Sequence, residues 1–496
     1  MTSYLRPGVF VEETLNPLPP ALGSNSQSVA AFIGVIDRGP TAVTAVSSWN
    51  QFTNLYGNYG NNNLVHLAVL LFFSNGGGTC YIRRTVGTGA TSASRTFNDR
   101  AGSPASTLRL SSASVGAWGN TVNVSIQTSA SGASVDLIVY LNGTDSSNIV
   151  ERFTDLTMGA TDDRYLVSII NAQSNYLTAE DTLSEATGSD RLPVVATNQY
   201  LVSGADGSTV TSSTVVGDIT AFDVVKNSLI LNAPDITDSS AVNSLLAYAE
   251  DRGDVFVIID PAQADVTTQL STAATYTPSS YGAVYHPRIV LNDPTSTISG
   301  TVLTVSPGGA IAGIYASTDA SRGVFKAPAG LSARIAGAVS VAPHTNAELD
   351  SMNSAVAPVN AINYVTGSGI VVMGARTLKG GKIDKYVPVR RTLIYLRKSM
   401  TDLTQFAVFE PNDDKLWRRI SASLDGFLRD FWRQGGLSGT NPSQAFFVKC
   451  DSDNNSQSSI DSGYVNIEVG VALQRPAEFV VIKISQFDGG TTVTVA

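Results

Sequence analysis

The segment Asp414-Lys-Leu-Trp-Arg-Arg-Ile-Ser-Ala-Ser-Leu-Asp-Gly-Phe-Leu-Arg-Asp-Phe-Trp-Arg433 organises the reading of this chain. At 100° per residue, Leu416, Trp417, Ile420, Leu424, Phe427, Leu428 and Phe431 gather on one face, the stripe of a helix packed on a core. Lys415, Arg418, Arg419, Arg429 and Arg433 gather on the other. Asn412 or Asp413 can cap its start and Gly435-Gly436 its end, which predicts a rod of about 30 Å. Upstream, the apolar run at 370–373 turns through Gly374 into a basic segment with Arg376, Lys379, Lys382 and Lys385.

The sign of that helix face matters because the whole chain is acidic, with 32 Lys+Arg against 41 Asp+Glu and a net charge of -9. Residues 376–433 hold 13 Lys/Arg and 7 Asp/Glu, so this stretch is +6 and everything outside it is -15. Such asymmetry points to a local acidic partner, although the same pattern also fits a solvated helix face.

At 496 residues the chain exceeds the size at which a single core keeps growing, so two to four domains are expected. No charged start precedes an apolar leader segment, and the longest near-apolar run, 64–73, is too short to cross a bilayer. A soluble, unexported chain is the expectation. Cys80 and Cys450 lie too far apart in sequence to form a metal motif or a disulfide framework and read as structural thiols.

In chain order, Pro7-Gly8 precedes the short strand Val9-Phe10-Val11, and Pro17, Pro19 and Pro20 then favour an extended spacer. The first 23 residues read as an arm. A strand at 29–36, a capping box of Ser48 and Gln51 before a helix, a second helix at 64–73 and a strand at 81–86 make an α/β alternation over 24–94. From Arg95 the composition turns to Ser, Thr and Gly, with alternating strands at 121–128 and 135–141, so 95–204 reads as an inserted, mostly-β peripheral domain. The α/β pattern resumes over 205–345 with strands at 229–231 and 255–259 around a helix at 241–251. The all-apolar run at 255–259 is what a strand buried on both faces requires. Residues 346–486 read as a C-terminal α+β domain that ends in a hairpin-like pair, 464–471 with 479–484. After Gly489-Gly490 comes a β-prone tail with Thr491, Val493 and Val495, and 487–496 reads as a second arm. The expected fold is an α/β core, α+β overall, with an inserted mostly-β domain and extended N- and C-terminal arms.

Motifs for chemistry are missing. Gly381-Lys382 lacks the phosphate-loop context, and the spacing of Gly367-Ser368-Gly369 is wrong for a nucleophile elbow. His66, His286 and His344 are scattered singly. Asp260 ends a buried strand, where α/β enzymes place catalytic groups, but Asp-Pro also opens turns. No cofactor or metal is expected.

Several short segments, taken in order, form a series along nearly the whole chain. They include Arg6-Pro7-Gly8-Val9-Phe10-Val11-Glu12-Glu13, the stretch from Phe32-Ile33-Gly34 to Arg38-Gly39-Pro40, residues 75–84, and Ala117-Trp118-Gly119-Asn120. Ala221-Phe222-Asp223 and residues 254–261 follow, then Gly309-Ala310-Ile311-Ala312-Gly313 and Arg322-Gly323-Val324-Phe325-Lys326-Ala327-Pro328-Ala329. Gly374-Ala375-Arg376-Thr377-Leu378, Val389-Arg390-Arg391, Phe409-Glu410-Pro411-Asn412 and Pro476-Ala477-Glu478-Phe479 complete the series. In that order the series resembles contractile tail sheath proteins of the bacteriophage type, and the loops at 380–382 and 341–358 depart from the family pattern.

The resemblance implies a non-enzymatic structural subunit that polymerises as a helical array of hexameric rings around an inner tail tube and contracts to drive the tube through a cell envelope. It implies a baseplate and a tail terminator as further partners, no nucleic acid and no direct membrane insertion, and a place in the virion after assembly in the host bacterial cytoplasm. In that setting Lys415, Arg418, Arg419, Arg429 and Arg433 are expected to face the inner tube. Val9, Phe10, Val11, Thr491, Val493 and Val495 are expected to link subunits by adding strands to a neighbour's 464–484 pair. Two alternatives stand beside it: a tailocin or other contractile injection sheath, and, in another class, a large α/β enzyme with a cleft near Asp260.

Overall fold

The structure, a computed structural model, describes residues 28–59, 64–296, 298–381 and 384–478. Val255–Ile259 has no polar side chain, so it is satisfied only when both of its faces are covered. It lies inside an eight-stranded sheet built from β1 (Val29–Val35), β2 (Thr44–Val46), β3 (Cys80–Thr85), β4 (Leu229–Asn232), β5 (Val255–Ile259), β6 (Gly282–His286), β7 (Val359–Val365) and β8 (Gly369–Val372). The order is β8-β7-β6-β5-β4-β1-β3-β2. Neighbours run parallel except at the two ends, where β2 and β8 are antiparallel to β3 and β7.

Alternation along each strand divides the core. Phe32, Ile82, Ile230, Phe256 and Ile258 point to the side covered by α1 (Leu64–Ser74) and α3 (Gly308–Arg322). Ile33, Leu231, Val255, Val257 and Ile259 point to the side covered by α2 (Ser239–Arg252). The long apolar strands therefore become the middle layer of a three-layer sandwich.

Between β3 and β4 the chain forms a four-stranded antiparallel sheet (Val122–Thr128, Val135–Leu141, Ile149–Leu156, Ala196–Tyr200) and a three-stranded one (Ser94–Asn98, Ser106–Ser112, Leu177–Asp181). The two enclose a core of their own that contains Leu108, Val124, Leu137, Val139, Phe153 and Leu166. The chain enters and leaves this unit side by side: Thr91 N–H donates to Ala205 O at 2.9 Å, and Ser94 N–H to Val202 O at 2.8 Å. A further small antiparallel sheet joins Ile289–Asn292, Val302–Val305 and Ala338–Val341. The molecule is thus a mixed α/β protein with one large mixed sheet and several small antiparallel ones.

Helix α4 (Asn346–Ser354) precedes β7, and beyond β8 come α5 (Val387–Thr404) and α6 (Asp414–Arg433). Asp413 caps α6 by accepting from the Lys415 and Leu416 amides, while Asn412 Oδ1 takes the Trp417 indole N–H at 2.8 Å. Gly435 at φ 86° turns the chain out of the helix. Helix α6 packs on a two-stranded sheet of Phe446–Lys449 and Glu468–Val471.

The strand begins at Glu468 rather than at the expected 464, and one of its edges pairs with Phe446–Lys449, where Phe446 and Val448 join the apolar face beneath α6. The expected partner at 479–484 lies outside the described residues, as do both arms with Val9, Phe10, Val11, Thr491, Val493 and Val495. The sequence patterns also passed over α3 and α5.

Candidate functional site

In an open α/β sheet, ligands bind beyond the carboxyl ends of the strands where the winding reverses. Here the chain steps from β1 to β3 in one direction and from β4 to β7 in the other, so the reversal lies at β1 and β4, with Asp260 just past the neighbouring β5. Asp260 is buried. Its Oδ1 accepts from the Gly308 amide at 2.9 Å and its Oδ2 from the Asp235 amide at 3.0 Å, and burial pushes its pKa up to about 6. Helix α3 starts directly over the carboxylate: a Cβ on Gly308 would sit 2.4 Å from Asp260 Oδ1 and Asn232 Nδ2. The space remaining beside it, about 10 Å³, is no more than one water needs. Among the described residues there is therefore no cleft at Asp260, and its carboxylate serves to seat a helix on the sheet.

The histidines are not all isolated as the sequence suggests. His286 Nδ1 lies 3.0 Å from His344 Nε2, His286 Nε2 lies 3.1 Å from Ala264 O, and His344 Nδ1 lies 2.7 Å from Asn363 Oδ1. A carbonyl oxygen stands at each end, so three ring protons are needed for three hydrogen bonds. Holding all three at once would put a positive charge on the pair, which burial of His286 opposes by lowering its pKa. Rotating the Asn363 amide would supply a donor instead and satisfy the neutral pair. His66 packs edge-on against Phe52. Among the described residues no group of three or more His, Cys, Asp or Glu could hold a metal ion, and no helix is long and apolar enough to cross a membrane.

On α6 the apolar stripe is buried as its spacing requires: Leu416, Trp417, Ile420, Leu424, Leu428 and Phe431 are covered, and Phe427 is half-buried. The opposite face is more balanced than a bare cationic stripe. Arg418 pairs with Asp414, Arg429 with Asp425 at 2.8 Å and Arg433 with Asp430 at 3.3 Å. The Arg419 guanidinium lies 4.2 Å over the Phe406 ring, and Lys415 makes no ion pair among the described residues. Exposed pairs of this kind contribute at most about 1 kcal/mol each, so their arginines can exchange partners.

Cations upstream are engaged inside the chain. Arg376 pairs with Glu478, Lys379 lies 3.6 Å from Asp384, and Lys385 sits over the Tyr386 ring; Lys382 is outside the described residues. Arg391 is buried and grips Asp319 with both guanidinium nitrogens, which ties α5 to α3. Part of the positive charge in 376–433 is therefore neutralised within the chain, and Arg391 anchors α5 to the core. Sequence reading missed Arg391, whose place within an apolar helical stripe is the signal that could have found it. The two buried cysteines are free, as structural thiols would be.

Residues 384–487, which include α5 and α6, match the family described as the phage tail sheath C-terminal domain. The tail sheath protein of Vibrio phage KVP40 is 26% identical over 179 residues, 35% of this chain. That match spans a quarter of the relative's length, 25%. Over nearly the whole chain, the fold is similar to a solved sheath complex of an extracellular contractile injection system, PVC, in its contracted state. Identity is 23%, coverage 98% of this chain and 99% of that one, and the TM-score 0.58. It is also similar to the contracted helical sheath of the anti-feeding prophage, with 22% identity, 97% and 99% coverage and a TM-score of 0.60.

Proposed function

We propose that the chain is a member of the phage tail sheath family and serves, as a structural and non-enzymatic protein, as the subunit of a contractile tail sheath. In this reading it polymerises as stacked hexameric rings around an inner tube and contracts to drive the tube through a cell envelope. The observation that carries the reading is the coincidence of the family's C-terminal domain at 384–487 with a sheath-like fold along the rest of the chain. Identical subunits joined head to tail by a rotation that does not close generate a helical lattice. Shortening of such a lattice draws its work from interfaces formed on contraction, and a barrier holds the extended form until it is triggered.

Within this function Lys415, Arg418, Arg419, Arg429 and Arg433 face an acidic inner tube. Exchangeable, salt-screened pairs repeated along a lattice template assembly and still release. The arms at 9–11 and 491–495 link neighbouring copies, with a baseplate and a terminator at the two ends. The sheath acts in the virion after assembly in the host cytoplasm. The extracellular injection sheaths that share the fold support a second setting for the same mechanism. The absence of DNA from particles purified with this sheath would select it.

Negative-stain imaging of the purified protein tests the reading, with tubular sheaths as the expected result. Replacing Lys415, Arg418 and Arg419 by Glu is expected to abolish tube-guided assembly and leave the monomer folded, as judged by circular dichroism. Unaltered tube binding would return that face to solvent. Removing residues 1–20 is expected to leave a folded monomer that no longer polymerises. Long sheaths formed at the wild-type concentration would remove the arm mechanism.

A further inference from the structure

Between α5 and α6 the chain makes a tight, framed loop. A 3-10 turn at Gln405–Ala407 leads in, the Glu410 amide donates to Ala407 O, the Asp413 amide donates to Pro411 O at 3.0 Å, and Arg419 braces Phe406. The frame holds Phe409 at φ 67°, a left-handed conformation that a bulky side chain adopts only under constraint. The result is a prong: Phe409 is 103% exposed and Val408 66%, followed by Glu410, which makes no ion pair among the described residues.

Gly435, just past the other end of α6, belongs to the wall of a groove of about 790 Å³. Its apolar lining includes Phe325 and the exposed Tyr364 and Met373. Its cations are Arg322, Lys326 and Arg475, none of them in an ion pair among the described residues. Lys326 Nζ has only carbonyl partners, Ala327 O at 2.7 Å and Ala329 O at 3.4 Å, and burial together with the neighbouring Arg322 holds its pKa below the usual lysine value. Among the described residues, Asp350 is the one carboxylate of the lining that is not already in an ion pair, because Glu478 is held by Arg376.

We propose that the Val408-Phe409-Glu410 prong of one copy docks in this groove on the next copy. Phe409 packs on Phe325, Tyr364 and Met373, and Glu410 meets Arg322 and Lys326. Prong and groove stand at opposite ends of α6, 20 residues and so about 30 Å apart, so the prong does not reach its own groove. A contact between opposite ends of one rigid rod is head to tail, and it propagates instead of closing on a dimer. The choice of a second copy rests on the sheath reading and on the match of an acidic, aromatic tip to an apolar groove with surplus cations.

The test combines two variants of the full chain, Phe409→Ser and the double variant Arg322→Glu/Lys326→Glu, in sedimentation velocity. Each alone is expected to raise the critical concentration for assembly at least tenfold. Mixed in equal amounts, one intact prong meets one intact groove, so discrete dimers that do not extend are expected. In a Phe409→Cys/Tyr364→Cys chain, mild oxidation is expected to give a ladder of linked copies, since Cys80 and Cys450 are buried. Variants that assemble like the wild type, or oxidation that yields no ladder, overturn the docking. So does a ladder that strengthens when residues 479–496 are removed, which would give the groove to the chain's own end. A wild type that forms no assembly at any concentration counts instead against the sheath reading.

Discussion

Arg84 joins the inserted unit to the core with a single side chain. It lies on β3, is buried, and donates to Ile36 O at 2.7 Å, Gly39 O at 3.1 Å, Asp37 O at 2.7 Å and, across the join, Val115 O at 2.9 Å. Burial lowers its pKa to about 10, still high enough to keep the charge. Arg84→Met strands four carbonyls and is expected to destabilise the protein by about 3 kcal/mol or more in urea unfolding. Asp260 gives a pH signature. Its folded pKa of about 6 lies above the ordinary 3.8, so the folded state holds the proton more tightly than the unfolded chain does. Its contribution to stability is therefore fully present below about pH 4 and is lost as pH rises to about 6. Asp260→Asn is expected to remove that part of the slope, seen as the difference between wild-type and variant stability curves over this range. Arg84 does not stand out in the sequence, and Asp260 stands out there only as a catalytic candidate or a turn opener. An arginine on an alternating strand reads as exposed, and an Asp-Pro reads as a turn, until the fold shows what surrounds them.

Helix α3 shows why an element can be hidden in a sequence. It opens with Gly-Gly, and each glycine costs a helix about 1 kcal/mol relative to alanine, so local propensity argues against it. The reason for the glycines lies on α1. A Cβ on Gly309 would come within 2.0 Å of Ala68 O, and one on Gly313 within 2.5 Å of Phe72 O. The two glycines, four apart, make a notch that lets the helix backbones approach closely. Gly309→Val must push the helices apart and is expected to cost about 1–3 kcal/mol, or more if α1 cannot shift, measured as a lower unfolding midpoint. Gly426 is a control. It is exposed within α6, and a methyl group added to its Cα would meet nothing within 4 Å, so Gly426→Ala is expected to stabilise by about 0.5–1 kcal/mol. By contrast α6 was readable at once, since its seven apolar positions define a face without reference to any neighbour.

At the scale of the molecule, the change of composition at Arg95 already suggested a separable unit, and a deletion tests that boundary. Ser94 and Val202 exchange both backbone hydrogen bonds, at 2.8 and 3.2 Å, so a short Gly/Ser bridge can replace 95–201 with little closure cost. The shortened chain is expected to remain soluble and to assemble into sheaths under the microscope, and complete insolubility would move the boundary. The sequence by itself determined the strands with unbroken apolar runs, the amphipathic helix α6, the change of composition at the inserted unit and the absence of catalytic motifs. Each of these is a property of neighbouring residues, carried by periodicity and burial. Only the tertiary structure decided that Asp260 is plugged by α3, that His286 and His344 lie within hydrogen-bonding distance, and that Arg391 ties α5 to α3 through Asp319. Those outcomes depend on contacts between residues tens to hundreds of positions apart, where partner choice is set by packing and desolvation and leaves no periodic trace along the chain.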